Sequence, residues 1–210
     1  MNIFYVNLVP KRIEDEQIHA FLKEFVDYIH SIQGGVDISI KNAEDMYPGV
    51  NAYIGSVLNY YCRKDREGVA GVDGFLKALN NYHSIDEVER KKVCLSESKD
   101  KSIYDILAQG FREKIVFEDC KIVIISGEKY YISAPYGVAC ESVCVNRCLE
   151  KYSIWHETAH LFDVDDHYDP DIDSYPTICG DEKCFMQWNS LRGEHFCSKA
   201  ISEISSYLSR

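Results

Sequence analysis

The chain has no apolar run approaching the roughly 18 residues that a membrane-spanning helix needs, which excludes an ordinary transmembrane protein. Its first ten residues, Met1 to Pro10, lack the basic segment of a secretory leader and pattern as a strand, so a soluble, cytoplasmic protein without membrane partners is expected. Positive charge is also short. Against 34 Asp and Glu there are only 23 Lys and Arg, a formal charge of −11. Gripping a phosphate backbone needs clustered cations, so nucleic acid is excluded as a partner class and a neutral or basic partner is expected. No internal repeat and no low-complexity tract interrupts the sequence. The nine cysteines are odd in number and follow no export signal, which favours thiols or metal ligands in a reducing compartment over a disulfide framework.

What is present is enough for a full core: 210 residues, 46% hydrophobic and 12% aromatic, suit one globular unit. Ile18, Leu22, Phe25, Val26, Ile29 and Ile32 recur at helical spacing, and Gly34-Gly35 ends that helix before Val36 to Ile40, which alternates like a strand. Together with the first strand this is a βαβ opening. Val50 to Tyr61 reads as a second helix, 68–74 as a glycine-rich connection, Phe75 to Tyr82 as a short helix, 84–100 as an unassigned polar stretch and Ile103 to Phe111 as a helix. Lys121 to Ile125 is an apolar, β-branched run of the kind buried on both faces of a sheet. A strand over Lys129 to Ala134 is expected to pair with it through Gly127, followed by a loop with Pro135 and Gly137. A central buried helix is expected from about Arg147 to Phe162, and a closing helix from Phe196 to Leu208 with Ile201, Ile204 and Leu208 facing inward.

The central helix carries His156-Glu157-Thr158-Ala159-His160. Histidines at i and i+4 project from one helical face and can close on a single Zn²⁺, with Glu157 one step round beside the metal. In a chain of this composition the pattern arises by chance in about 0.02 sequences, so a solvated His-Glu-His face is the weaker reading. A hydrolytic zinc needs a third protein ligand and an open position. Asp166 and His167 follow at the right distance, and because neighbouring residues point apart, one of them alone is expected to ligate. Neutral imidazole is the commoner zinc ligand in general.

The run His156-Glu157-xx-His160-xx-Asp163-xx-Asp166 resembles the long zinc motif of the metzincin metallopeptidases, HExxHxxGxxH or HExxHxxGxxD. Asp166-His167-Tyr168 is similar to the ending seen in snapalysin-type small metzincins, in which the aspartate ligates. Cys179-xxxx-Cys184-x-Met186 resembles a segment of archaemetzincins, in which the methionine forms the Met-turn below the zinc. The likeness covers 30 to 40 residues near the C-terminus.

The resemblance implies an α/β, metzincin-like zincin: a twisted mixed β-sheet, an active-site helix carrying HExxH, an upper lobe of about 1–162 and a small C-terminal lower lobe of about 163–210. It further implies a zinc-dependent metallopeptidase acting on peptide or protein substrates, with Zn²⁺ held by His156, His160 and Asp166 (His167 as the alternative), Glu157 as general base and acid, Tyr168 supporting the oxyanion, and Met186 beneath the site. A substrate peptide is expected to pair with a strand edge near Tyr130 to Ala134.

This chain departs from the family pattern in three places. Asp163 stands where metzincins have Gly, Cys179 comes thirteen positions after Asp166, and Cys197 lacks the partner of a terminal CxxC. A second metal site of Cys179, Cys184 and Cys197 needs a fourth ligand such as His195 or a residue of the Cys140 group. Cys140, Cys144 and Cys148, spaced by four, would stripe a helix as buried thiols. The acidic loop from Asp163 to Asp173 lacks the glycine and terminal glutamate of a calcium loop and reads as solvated. Two rival functions remain: a zinc amidase acting on a small molecule, and a zinc-stabilised, non-catalytic binding or regulatory module.

Overall fold

In the computed structural model, the described residues are 1–52, 54–55, 58–59, 120–129, 136–169, 172, 174–189 and 193–210. The expected glycine-rich connection, the short helix at 75–82, the polar stretch 84–100, the helix at 103–111 and the strand residues 130–134 lie outside them.

The fold is a five-stranded, mostly parallel sheet with helices packed on it. The strands are β1 (Asn2–Asn7), β2 (Ser39–Asn42), β3 (Cys120–Ile125), β4 (Gly137–Cys140) and β5 (Val143–Asn146), in the order β2-β1-β3-β5-β4. β1 lies parallel between β2 and β3, β3 pairs parallel with β5, and β4 returns antiparallel on β5. All six residues of β3 are buried, as expected of a run apolar on both faces.

Helix α1 (Asp15–Ile32) follows β1 and buries Ile18, Leu22, Phe25, Val26 and Ile29, the stripe read from the sequence. Its first turn carries Asp15 and Glu16, which suit the positive end of the helix dipole. Short α2 (Ala43–Met46) is capped by Asn42, whose side chain accepts from the Glu44 amide. The described residues among 50–59 are helical, and Val50, Ile54 and Leu58 are fully buried at i, i+4 and i+8. No helix among the described residues is long and apolar enough to cross a membrane.

The HExxH motif lies on α3 (Lys151–His160), and the chain closes with α4 (Ser198–Leu208). Seven consecutive residues of α3, Ser153 to Ala159, are buried, so this helix is enclosed on all sides. An aromatic cluster holds it. Phe25 of α1 lies 5.8 Å from Trp155, 5.7 Å from Phe162 and 6.1 Å from Phe196, and Phe185 meets Trp155 at 5.5 Å. The Trp155 indole N–H donates to Phe21 O at 2.8 Å, so the ring is buried without an unmet donor.

Several expectations need correction. α3 begins at Lys151 and not near Arg147, because Val143–Asn146 is drawn into the sheet as β5 and the chain must turn before the helix can start. For the same reason Cys140, Cys144 and Cys148 do not stripe a helix. Cys140 and Cys144 fall on a hairpin, with Cys144 buried in β5 and the two-residue turn placing Glu141 at φ 54, and Cys148 lies in the bend that follows β5. Gly137 opens a strand where a loop was expected. The second strand is Ser39–Asn42 rather than Val36 to Ile40, set by pairing of Ser39 opposite Asn2. Gly127–Lys129 is a 3-10 turn, so Lys129 does not begin a strand, and the last strand of the sheet among the described residues is β4. α4 starts at Ser198, and its buried residues are Ala200 and Ile204, with Ile201 and Leu208 half-buried.

Candidate metal centre

The backbone past His160 explains how the site closes. Leu161 N–H bonds to Thr158 O, Phe162 N–H to Ala159 O and Asp163 N–H to His160 O, so the helix tightens over its last turn. Asp163 then adopts φ 56, the left-handed conformation that reverses the chain. This is the position where the resembling motif has Gly, and Asp tolerates it better than most residues. Three residues later Asp166 has come back to the helix.

The structure brings together the Nε2 atoms of His156 and His160, 3.2 Å apart, and Asp166 Oδ1, at 3.2 Å from the first and 3.5 Å from the second. The other ring nitrogens are engaged: His156 Nδ1–H donates to Phe185 O at 2.8 Å and His160 Nδ1–H to Val164 O at 2.6 Å. In the neutral rings this leaves a lone pair on each Nε2, aimed at the same point. Asp166 Oδ1 is buried there with no hydrogen-bond donor. Three acceptors that converge without a proton between them need a cation, and ligands on a tetrahedral zinc stand about 3.3 Å apart. The donor set therefore fits Zn²⁺.

Without a metal, a proton must serve. Burial opposes a charge on His156, but its bond to Asp166 and the nearby carboxylates win and raise its pKa, whereas burial and the neighbouring His156 push His160 down to about 4. Asp166 is itself lowered, burial being outweighed by the two imidazoles. A proton in the cluster thus favours His156 over His160 and faces the Asp166 carboxylate. Beside it Glu157 is almost fully buried, and burial with the adjacent Asp166 pushes its carboxyl up to about 7 against the pull of His156.

A cleft of about 520 Å³ opens over these groups, walled on one side by Gly137, Val138, Ala139 and Glu141 and on the other by the helix and by Val164, Asp165, Asp166 and Tyr168. The Tyr168 phenol hydrogen-bonds to Asp166, and its pKa is raised by burial and by that carboxylate. Its ring packs edge-on against Tyr175 and Trp188, which stack at 4.1 Å.

His167 does not join this cluster. Its fully buried ring faces the other way, into a second one: Nδ1 is 3.2 Å from Cys197 Sγ and 3.6 Å from Cys184 Sγ, and the ligand atoms of His167, Cys179, Cys184 and Cys197 all lie within 4.8 Å of one another. Nε2 of His167 lies 3.1 Å from Glu203 Oε2 on α4, an arrangement that fixes the tautomer with Nδ1 free to ligate. Cys184 Sγ accepts backbone N–H bonds from Met186 and Cys197, while burial pushes the unligated thiol up to about 12. A sulfur so placed fits a thiolate balanced by a cation. His195, the fourth ligand considered from sequence, instead pairs with Asp181 at 2.7 Å on the surface. Cys144, Cys148, Cys179, Cys184 and Cys197 form no disulfide.

Met186 is fully buried, and its carbonyl accepts the His167 amide at 2.8 Å. Sequence reasoning missed Gln187, whose amide donates to His167 O and Thr177 Oγ1 and reaches Cys179 Sγ. It also missed Glu203, which lies 36 residues from His167 and carries no local signal.

The fold and site together define an α/β protein with two separate donor clusters of zinc-binding type among the described residues. No protein-family model and no curated protein matches the chain. Among solved structures, the archaemetzincin of Methanopyrus kandleri is similar over 100% of this chain and 96% of its own, at 13% identity and a TM-score of 0.42. A likeness that faint carries no argument, and the functional reading rests on the geometry of the site.

Proposed function

We propose that the protein is a zinc-dependent metallopeptidase of metzincin type, with His156, His160 and Asp166 as the ligands. The observation that carries this is the convergence of two Nε2 lone pairs and a buried, donorless Asp166 oxygen beside a buried glutamate. When bound, the zinc supplies Lewis acidity, which acidifies water and polarises a carbonyl. Glu157 takes the proton of the attacking water on its carboxylate and returns it to the leaving nitrogen, and its ionisation near neutrality suits both directions. Tyr168 holds Asp166 through its phenol and turns an aromatic wall toward the substrate. A peptide lies in the cleft between an upper lobe of about 1–162 and a lower lobe of about 163–210, extended along β4, the last strand of the sheet among the described residues.

The second cluster, Cys179, Cys184, Cys197 and His167, is a closed Cys₃His set and holds a structural zinc. Met186 serves as backbone support for His167 through its carbonyl.

The test compares the zinc-loaded protein with Glu157→Gln on mixed peptides, with zinc content measured in parallel. Hydrolysis that disappears in the variant while zinc is retained supports the reading. A zinc-loaded wild type that cleaves no peptide leaves the non-catalytic module, and turnover of small amides alone leaves the amidase. The sheet-edge wall of the cleft favours a peptide over a small molecule.

A further inference from the structure

The Glu157 carboxylate is buried, yet among the described residues no hydrogen-bond donor reaches it. A general base is useful only in one orientation, so something other than hydrogen bonding must set it. The contact that does so is with the first residue of β4. A Cβ built on Gly137 would lie 2.7 Å from both Cγ and Cδ of Glu157 and 2.6 Å from Val145 O, closer than real Cβ atoms come. Gly137 has no positive φ, so backbone conformation does not call for glycine here. Strands ordinarily disfavour glycine, and one in a strand often marks a close approach of other atoms, as the distances at Gly137 do.

We infer that Gly137 is a positioning residue for Glu157: the missing side chain at the start of the edge strand forms the slot in which the general base lies. This rests on the metallopeptidase reading of Glu157. Any side chain at 137 pushes Glu157 out of this place or lifts β4 off β5. Both displace the base from the water it must meet. The glutamate is held by shape alone, which leaves its oxygen lone pairs free for the reaction.

The experiment is a cycle of Gly137→Ala, Glu157→Ala and the double variant, followed by urea unfolding at one pH, zinc content and peptide turnover. Gly137→Ala is expected to lower the urea midpoint in the wild-type background and by clearly less beside Ala at 157, because the clash with Glu157 Cγ and Cδ is then gone and only the one with Val145 O remains. In the otherwise wild-type enzyme it should lower kcat by at least about tenfold, with KM and zinc content little changed. Equal midpoint losses in both backgrounds, a double variant that fails to fold, or an undiminished kcat would each overturn the inference. If the wild type itself cleaves nothing, it is the hydrolase reading that fails, and the urea cycle still decides whether Gly137 seats Glu157.

Discussion

Asp166 and His167 are chain neighbours that face two different donor clusters: Asp166 Oδ1 stands 3.2 Å from His156 Nε2, and His167 Nδ1 stands 3.2 Å from Cys197 Sγ. An extended dipeptide points successive side chains to opposite sides, and here that alternation feeds one ligand to each site. The protein should therefore carry two zinc ions per chain, and Asp166→Ala should carry one. Elemental analysis of protein freed of loosely bound metal checks both counts. A single zinc in the wild type would sink the two-site assignment.

Because the two ligands share a backbone, the sites should not be independent. His167 N–H bonds to Met186 O and Gln187 reaches His167 O, so the Cys184 to Gln187 segment holds the strap from which Asp166 projects. Cys184→Ser should empty the second site and also weaken metal binding at His156, His160 and Asp166, by about tenfold or more, as loss of a supporting shell does. Cobalt substitution separates the sites spectroscopically, thiolate charge-transfer bands marking the second, and a chelator titration then gives each affinity. Wild-type affinity at the first site would mean that Asp166 is held without help.

Glu203 faces the non-ligating nitrogen of His167 at 3.1 Å and also lies 3.6 Å from Lys199. Replacing it with Ala leaves a buried N–H without an acceptor, whereas Gln keeps an oxygen in place. Glu203→Ala should weaken zinc at the second site by about 10- to 100-fold, and Glu203→Gln by distinctly less. Indistinguishable variants would show that the carboxylate does not orient the imidazole.

How much of this was legible in the sequence follows from how local each signal is. α1 and β3 could be read because their burial patterns are local periods of 3.6 and of a continuous apolar run. His156 and His160 could be paired because i and i+4 fix their relation on any helix. The start of α3 could not, since the pairing of Val143–Asn146 beside β3 is decided by residues 21 positions away. The four-residue spacing of Cys140, Cys144 and Cys148 misled for the same reason, as a two-residue turn and a helix turn give similar spacings. His167 was placed within reach of the first site, and only the direction of the strap sends it to the second.

Asp163 supplies the last prediction. With φ 56 it spends conformational energy that glycine would not, of order 1 kcal/mol, and it is paired on the surface with Arg210 at 2.6 Å. Asp163→Gly relieves the first term, gives up an exposed ion pair worth under about 1 kcal/mol, and enlarges the unfolded ensemble by a similar amount. The three nearly cancel, so stability should change by less than about 1 kcal/mol and the chain reversal should survive. Asp163→Val keeps the strain, worsens it by β-branching and loses the ion pair, and should cost about 2 kcal/mol or more. Urea unfolding of the two variants measures the difference. If valine proves as well tolerated as glycine, residue 163 does not turn the chain through the left-handed region, and the route by which Asp166 returns to the histidines must be another.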